Sequence, residues 1–291
     1  MNKSILYTIL LGIVLTRTLQ VFADSPDIRP IEPDTTYGPA WVGWTMLGVE
    51  YIVGPVVASH FWWQHAFGTN PFGNIGEKEP YLEDKIWHFW NGENVSHLHY
   101  WVLHDYFGKD SPWGAMGLTM LTLTAIELLD ASDSKANWEL SICDQLANMG
   151  GIAFWYLKHK YPQIPVDVRI GIRRWDRFDE LIKRSYEYPS NFHNPPPGQN
   201  THLDNYSILK AEIIVRPYNY FYIGFVSSLK HNENGWGIAE NLFGVTAGFD
   251  ALRWYANKYP GKITPFTNTF GRYVSESIAT THWFEENNEK Q

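Results

Sequence analysis

From Trp41 to Phe67 the chain is apolar and rich in aromatic residues, a pattern that predicts a helix with a kink at Gly54-Pro55. TNPFGNIGEKEP (69–80) then predicts a loop. Glu83 to Tyr106 holds no Pro and one Gly and predicts a long helix. Pro112 restarts the chain, and Trp113 to Leu129 is a nearly uncharged run that predicts a buried or membrane-dipping helix. Gly114, Gly117, Thr119 and Thr122 in that run permit close helix approach. After the polar turn ASDSKAN, Asn137 to Lys160 predicts a fourth helix, ended by Pro162. Four helices with short connections predict an antiparallel four-helix bundle over 41–160.

Beyond 161 the pattern changes. Residues 163–172 alternate briefly, 173–190 look helical and basic, and HNPPPGQN (193–200) is a linker or loop. Residues 206–229 predict a β-hairpin about Arg216-Pro217-Tyr218-Asn219. Ile238 to Tyr259 predicts a helix closed by Pro260-Gly261, 266–284 a further short helix, and EENNEKQ a frayed tail. The expected fold is mainly α: the bundle, followed over 161–291 by an α+β extension containing the hairpin.

The N-terminus adds a location. Met1-Asn2-Lys3, the apolar run Ile5 to Leu15 and Val21-Phe22-Ala23 have the form of a signal peptide cleaved after Ala23. An uncleaved anchor is the alternative, although the run falls short of the roughly 20 residues of a spanning helix. Residues 24–40, with four Pro, form an extended leader. Cys143 is the single Cys, so neither an intramolecular disulfide nor a lipid-modified Cys after the apolar run is possible.

Composition changes the picture in two ways. A formal net charge of −8 excludes a general nucleic-acid binder, which needs a basic surface. Aromatic residues make up 16% of the chain, which fits either an aromatic core or an interface with one apolar and one wet side, such as a bilayer headgroup zone.

Candidate chemistry lies on three helices. Asp84 and His88 share a face, and His99 returns to within about 20° of His88 at 100° per residue. Glu127 and Asp130 are three apart, and in ELSICDQLANMGG (139–151) Ser141, Asp144, Asn148 and Gly151 form one stripe. In a bundle these faces meet as a carboxylate and His cluster. Buried carboxylates need a cation, a shared proton or a metal, with Lys85 the nearest cation in sequence. Carboxylate and His ligands from facing helices are also how bundles hold metals. The alternative is structural: Asp144 and Asn148 cap or cross-link helix ends, and Glu127 and Asp130 lie beside the polar turn. His97 and His104 are too far apart for a metal pair and form a surface or interfacial stripe. There is no His-Glu-x-x-His, nucleophile elbow or phosphate-binding glycine loop, and Asp144 would raise the Cys143 thiol pKa.

The series Asp84-Lys85-x-x-His88-Phe89, Glu127-x-x-Asp130 and Ser141-x-x-Asp144-x-x-Ala147-Asn148-x-x-Gly151 resembles the YfiM-like family of periplasmic lipoproteins, and more distantly the VanZ-like membrane proteins. The resemblance covers about 41–160. It implies an envelope location and a helical bundle with the motif acids inward, and supplies no reaction.

Two functions are therefore expected. One is a membrane-associated envelope protein, periplasmic and on the outer membrane, with a structural or binding role and envelope components as partners. The other is a hydrolase-type enzyme on a lipid or cell-wall intermediate, with Asp84, His88, Glu127 and Asp144 as an acid/base or metal site. As a third possibility, the β-segment belongs to a larger outer-membrane β-structure, which two strands cannot close alone.

Overall fold

The structure is a computed structural model, and it describes residues 38–53, 70, 72, 75–76, 82–132, 139–172, 209–216, 220–230, 240–250, 254, 258 and 278–283. The elements in chain order are α1 (Ala40–Gly48), one π-helical turn (Val49–Val53), β1 (Ile75–Gly76), α2 (Leu82–Phe107), α3 (Pro112–Ser132), β2 (Leu140–Ser141), α4 (Ile142–Lys160), β3 (Val166–Ile172), β4 (Leu209–Val215), β5 (Phe221–Lys230), β6 (Glu240–Phe249) and β7 (Ile278–Trp283). Two compact units form, residues 1–78 with 91–159 and residues 79–90 with 160–291; the division falls inside the unbroken helix α2.

The helical unit is delimited by local chemistry. Helix α2 ends at Gly108, whose φ of 64° is a left-handed conformation that suits glycine. Its N–H bonds the His104 carbonyl at 3.1 Å, and the Lys109 N–H bonds that of Leu103 at 2.8 Å. Helix α3 begins with Ser111 as N-cap, its hydroxyl accepting the Gly114 N–H at 3.2 Å, and Pro112 at the first helical position. Ser141 caps α4 in the same way, accepting the Asp144 N–H at 3.0 Å. The core gathers Leu47, Tyr51, Val102, Leu103, Leu118 and Trp155 from all four helices.

Gly92 sets how closely α2 and α4 approach. A Cβ there would lie 2.3 Å from the Asn148 carbonyl oxygen and 3.0 Å from the Ile152 nitrogen, so the two helix backbones touch. Tyr100 meets Trp155 and His159 further along, with ring centroids 5.6 and 4.5 Å apart. Contacts that advance together along both helices show that α2 and α4 run parallel.

The second unit is an antiparallel sheet in which β3 to β7 pair in chain order. Val168 pairs with Ile213, Ile213 with Phe225, and Phe225 with Val245, which places them on one face. The first turns of α2 cover one corner of that face, where Ile86 packs with Val168, Ala211 and Ile170. The opposite face is largely buried and mixes apolar Ile214, Tyr222, Val226 and Leu242 with charged residues. Arg169 ion-pairs with Asp250, Arg216 with Asp167 and with Asp250 at 3.3 Å, and Lys210 with Glu212 at 2.9 Å. Arg169 also lies over the Tyr222 ring, 4.8 Å from its centroid. Three cations meet three carboxylates, so the face carries its charge in balance.

The expected fold is corrected. A simple four-helix bundle with an appended hairpin is not formed, because five strands build a sheet and the start of α2 packs on it. The expected helix at 238–259 is instead β6 over its first part, and 278–283 is β7. Val245 and Thr246 suit a strand held by β5, Gly244 and Gly248 weaken a helix, and the pairing overrides helix-forming neighbours. The fourth helix starts at Ile142 instead of Asn137, since Leu140 and Ser141 pair in parallel with Ile75 and Gly76. The hairpin strands around 216–219 are present as expected. The signal peptide, nearly all of the leader, the Gly54-Pro55 kink, the 173–190 helix and the 193–200 linker lie outside the described residues.

Candidate metal centre

Helix periodicity places Asp84 and His88 one turn apart on α2. The Asp84 Oδ2 accepts from Lys85 Nζ at 2.8 Å, while its Oδ1 stands 3.6 Å from His88 Nε2. Burial alone pushes the Asp84 carboxyl up. The His88 ring, by bonding and by charge, and then Lys85 outweigh that penalty and hold it below the usual carboxylate range.

Asp144 sits in the first turn of α4, where the positive end of the helix dipole favours a carboxylate. Asp84, His88 and Asp144 each offer a ligand atom, and these atoms all lie within 4.8 Å of one another. Asp84 and His88 lie about two turns and one turn N-terminal to Gly92 on α2, and Asp144 lies about one turn N-terminal to Asn148 on α4.

A metal–oxygen or metal–nitrogen bond of about 2.0–2.2 Å allows two ligands of one ion to stand at most about 4.4 Å apart. Small side-chain rotations therefore bring the three into range. One His with two carboxylates is a donor set suited to Zn²⁺ or Mn²⁺. One turn beyond Asp144, Asn148 is completely buried, and neither its Nδ2 nor its Oδ1 has a hydrogen-bond partner among the described residues. A buried polar group in that condition is costly and marks a place where a polar ligand is stabilised.

The other expected site residues divide. Lys85 is the ion-pair partner of Asp84. Ser141 is a helix cap, so its place in the stripe is structural. Gly151 is buried in α4. Glu127, buried in α3, and Asp130, half-buried at its end, do not join the ligand group. His104 bonds Asp105 at 2.6 Å and stacks beside Tyr100, while His97 is half-buried.

A second polar cluster was only partly legible. His99, fully buried, bonds Thr119 Oγ1 through Nδ1 at 2.9 Å. Thr119 gives its own proton to the Ala115 carbonyl, so its oxygen accepts from His99 Nδ1. Nε2 faces the Tyr51 hydroxyl at 2.6 Å and Glu50 Oε1 at 3.0 Å, both from the π-helical turn. Burial, then the neighbouring Glu50, push the Tyr51 hydroxyl far above its usual range, so it stays protonated. Thr122 bonds Tyr51 at 2.8 Å and completes a brace between the π-helical turn, α2 and α3. The sequence signal was Glu50, a lone acid within an apolar aromatic run.

Comparison with family models, with curated proteins and with solved structures found no match for this chain.

Proposed function

We propose that the chain is a bacterial cell-envelope protein, exported and associated with the outer membrane, that binds a divalent metal ion through Asp84, His88 and Asp144. One observation carries the metal reading: three ligand atoms of suitable chemistry within 4.8 Å, fixed on two helices in backbone contact. The envelope location rests on the N-terminal pattern and on the family resemblance of the motif residues. In this reading the ion ties α2 to α4, and the role is binding.

A second reading is a metal-assisted hydrolase acting on a lipid or cell-wall intermediate. Three protein ligands favour it, because catalytic zinc sites keep a fourth position for water or substrate.

The test is metal content of the purified full-length protein, beside His88→Ala and Asp144→Asn. The expected result is about one equivalent of Zn²⁺ or Mn²⁺, lost in both variants and on chelation, with a lower melting temperature. Metal-free protein whose melting is unmoved by added ion would sink the metal reading. Metal-dependent hydrolysis of a phospholipid or a lipid-linked wall precursor would favour the enzyme.

A further inference from the structure

The sheet of the second unit buries apolar Ile214, Tyr222, Val226 and Leu242 together with charged residues on its covered face, and its other face is apolar and exposed. Its charged face, with Arg169, Glu212 and Asp250 each at most 4% exposed, is the covered one. Its other face presents Ile213, Val215, Phe221, Ile223, Phe225 and Val245, each 38–59% exposed. Cross-strand register makes this a single patch: Ile213 pairs with Phe225, Phe225 with Val245, and Val215 with Ile223. Apolar patches of this kind mark an interaction surface.

Two further features select its occupant. Strands β5 and β6 have ten residues each, within the 9–11 or so that cross bilayer hydrocarbon at a tilt. At one end of the two strands the aromatic residues gather. Phe249 has ring centroids 5.2 Å from Phe221, 6.1 Å from Tyr220 and 6.4 Å from Trp254. Lys258 Nζ lies 4.8 Å from the Trp254 ring centroid. Amphipathic rings with a cation at the rim of an apolar band are what a headgroup boundary favours. An exposed apolar band bounded by aromatics is the pattern of the lipid-facing side of β-structure embedded in lipid.

We propose that the Ile213–Ile223–Phe225–Val245 face lies against the hydrocarbon of a lipid bilayer, with the Arg169, Arg216 and Asp250 cluster turned to the protein interior. This goes beyond the metal-binding reading and does not depend on it.

The experiment reconstitutes the full-length chain, in a Cys143→Ser background, into phosphatidylethanolamine/phosphatidylglycerol vesicles. Spin labels are placed singly at Ile223→Cys, Val245→Cys and, as a water-side control, Lys160→Cys. Labels at 223 and 245 are expected to be relaxed by oxygen and shielded from a water-soluble nickel complex, with the reverse at 160. The double variant Ile223→Lys/Val245→Lys alters only exposed positions, and its vesicle partition is expected to fall about 30-fold or more. Nickel access at 223 and 245, spin–spin coupling that places a second copy on the face, or undiminished partition of the double variant would overturn the proposal. Metal content of the same preparation reports separately on the helical site.

Discussion

Gly92→Ala is the sharpest perturbation of the helical unit, because two large effects oppose each other there. Glycine inside a helix costs about 1 kcal/mol relative to alanine, so propensity alone predicts stabilisation. Packing predicts the reverse. The added Cβ would lie 2.3 Å from the Asn148 carbonyl oxygen and 3.1 Å from its carbonyl carbon; real Cβ atoms essentially never come within 3.0 Å of a neighbour. The obstacle is α4 backbone, which cannot rotate away as a side chain does. The helices must separate by several tenths of an ångström over the length of their contact. Overpacking of this kind costs about 1–3 kcal/mol, and a backbone obstacle places Gly92→Ala at the upper end. Subtracting the propensity gain leaves a net loss of about 1–2 kcal/mol. Urea unfolding of the full-length chain, followed by far-ultraviolet circular dichroism, should show a lower midpoint at unchanged slope. The melting temperature should fall by about 2–4 °C for each kcal/mol lost. His88 and Asp144 move apart with the helices, so metal affinity should fall as well. A midpoint equal to or above that of the parent chain would refute the close helix contact and the site geometry built on it.

Three further outcomes follow. His88 and Lys85 hold the Asp84 proton weaker in the folded chain than in the unfolded one. The stability this provides is complete above the unfolded carboxylate value of about 4 and is lost as pH falls through the folded value; Asp84→Asn, titrated with chelator present, should flatten that acid limb, and an unchanged limb would contradict it. Ser141→Ala should cost about 1 kcal/mol, read by denaturant unfolding, through loss of the α4 cap. Asp250→Asn strips a shared carboxylate from buried Arg169 and Arg216, and should lower stability by about 3–5 kcal/mol, whereas a loss under about 1 kcal/mol would show that solvent reaches the pair.

The long helices were legible because their limits are written locally. Pro112 opens α3, the absence of Pro lets α2 run unbroken, and Pro162 lies just past α4. The sheet was not legible because its strands are defined by partners far along the chain. The run that became β6 holds Val245 and Thr246, which suit a strand, and Gly244 and Gly248, which weaken a helix, but its helix-forming neighbours obscured them. The ligand group was half legible. The i,i+4 spacing of Asp84 and His88 and the stripe through Asp144 follow from helix periodicity. That Glu127 stays outside depends on helix rotation, which periodicity leaves open. Glu50 and Tyr51 were missed because they lie on a π-helical turn, whose residues do not keep α-helical spacing.

The chain-order pairing of β3 to β7 also bears on how the sheet assembles in time. Five residues separate β4 from β5, whereas thirty-six separate β3 from β4. Loop-closure entropy makes the longer connection costlier by about 1.7 kcal/mol. The β4–β5 hairpin therefore forms first and offers β6 an edge across the next short connection. β3 arrives late, and it carries Arg169 and Asp167. Arg216 and Asp250 already pair with each other without it, and the docking of β3 adds Asp167 to Arg216 and Arg169 to Asp250.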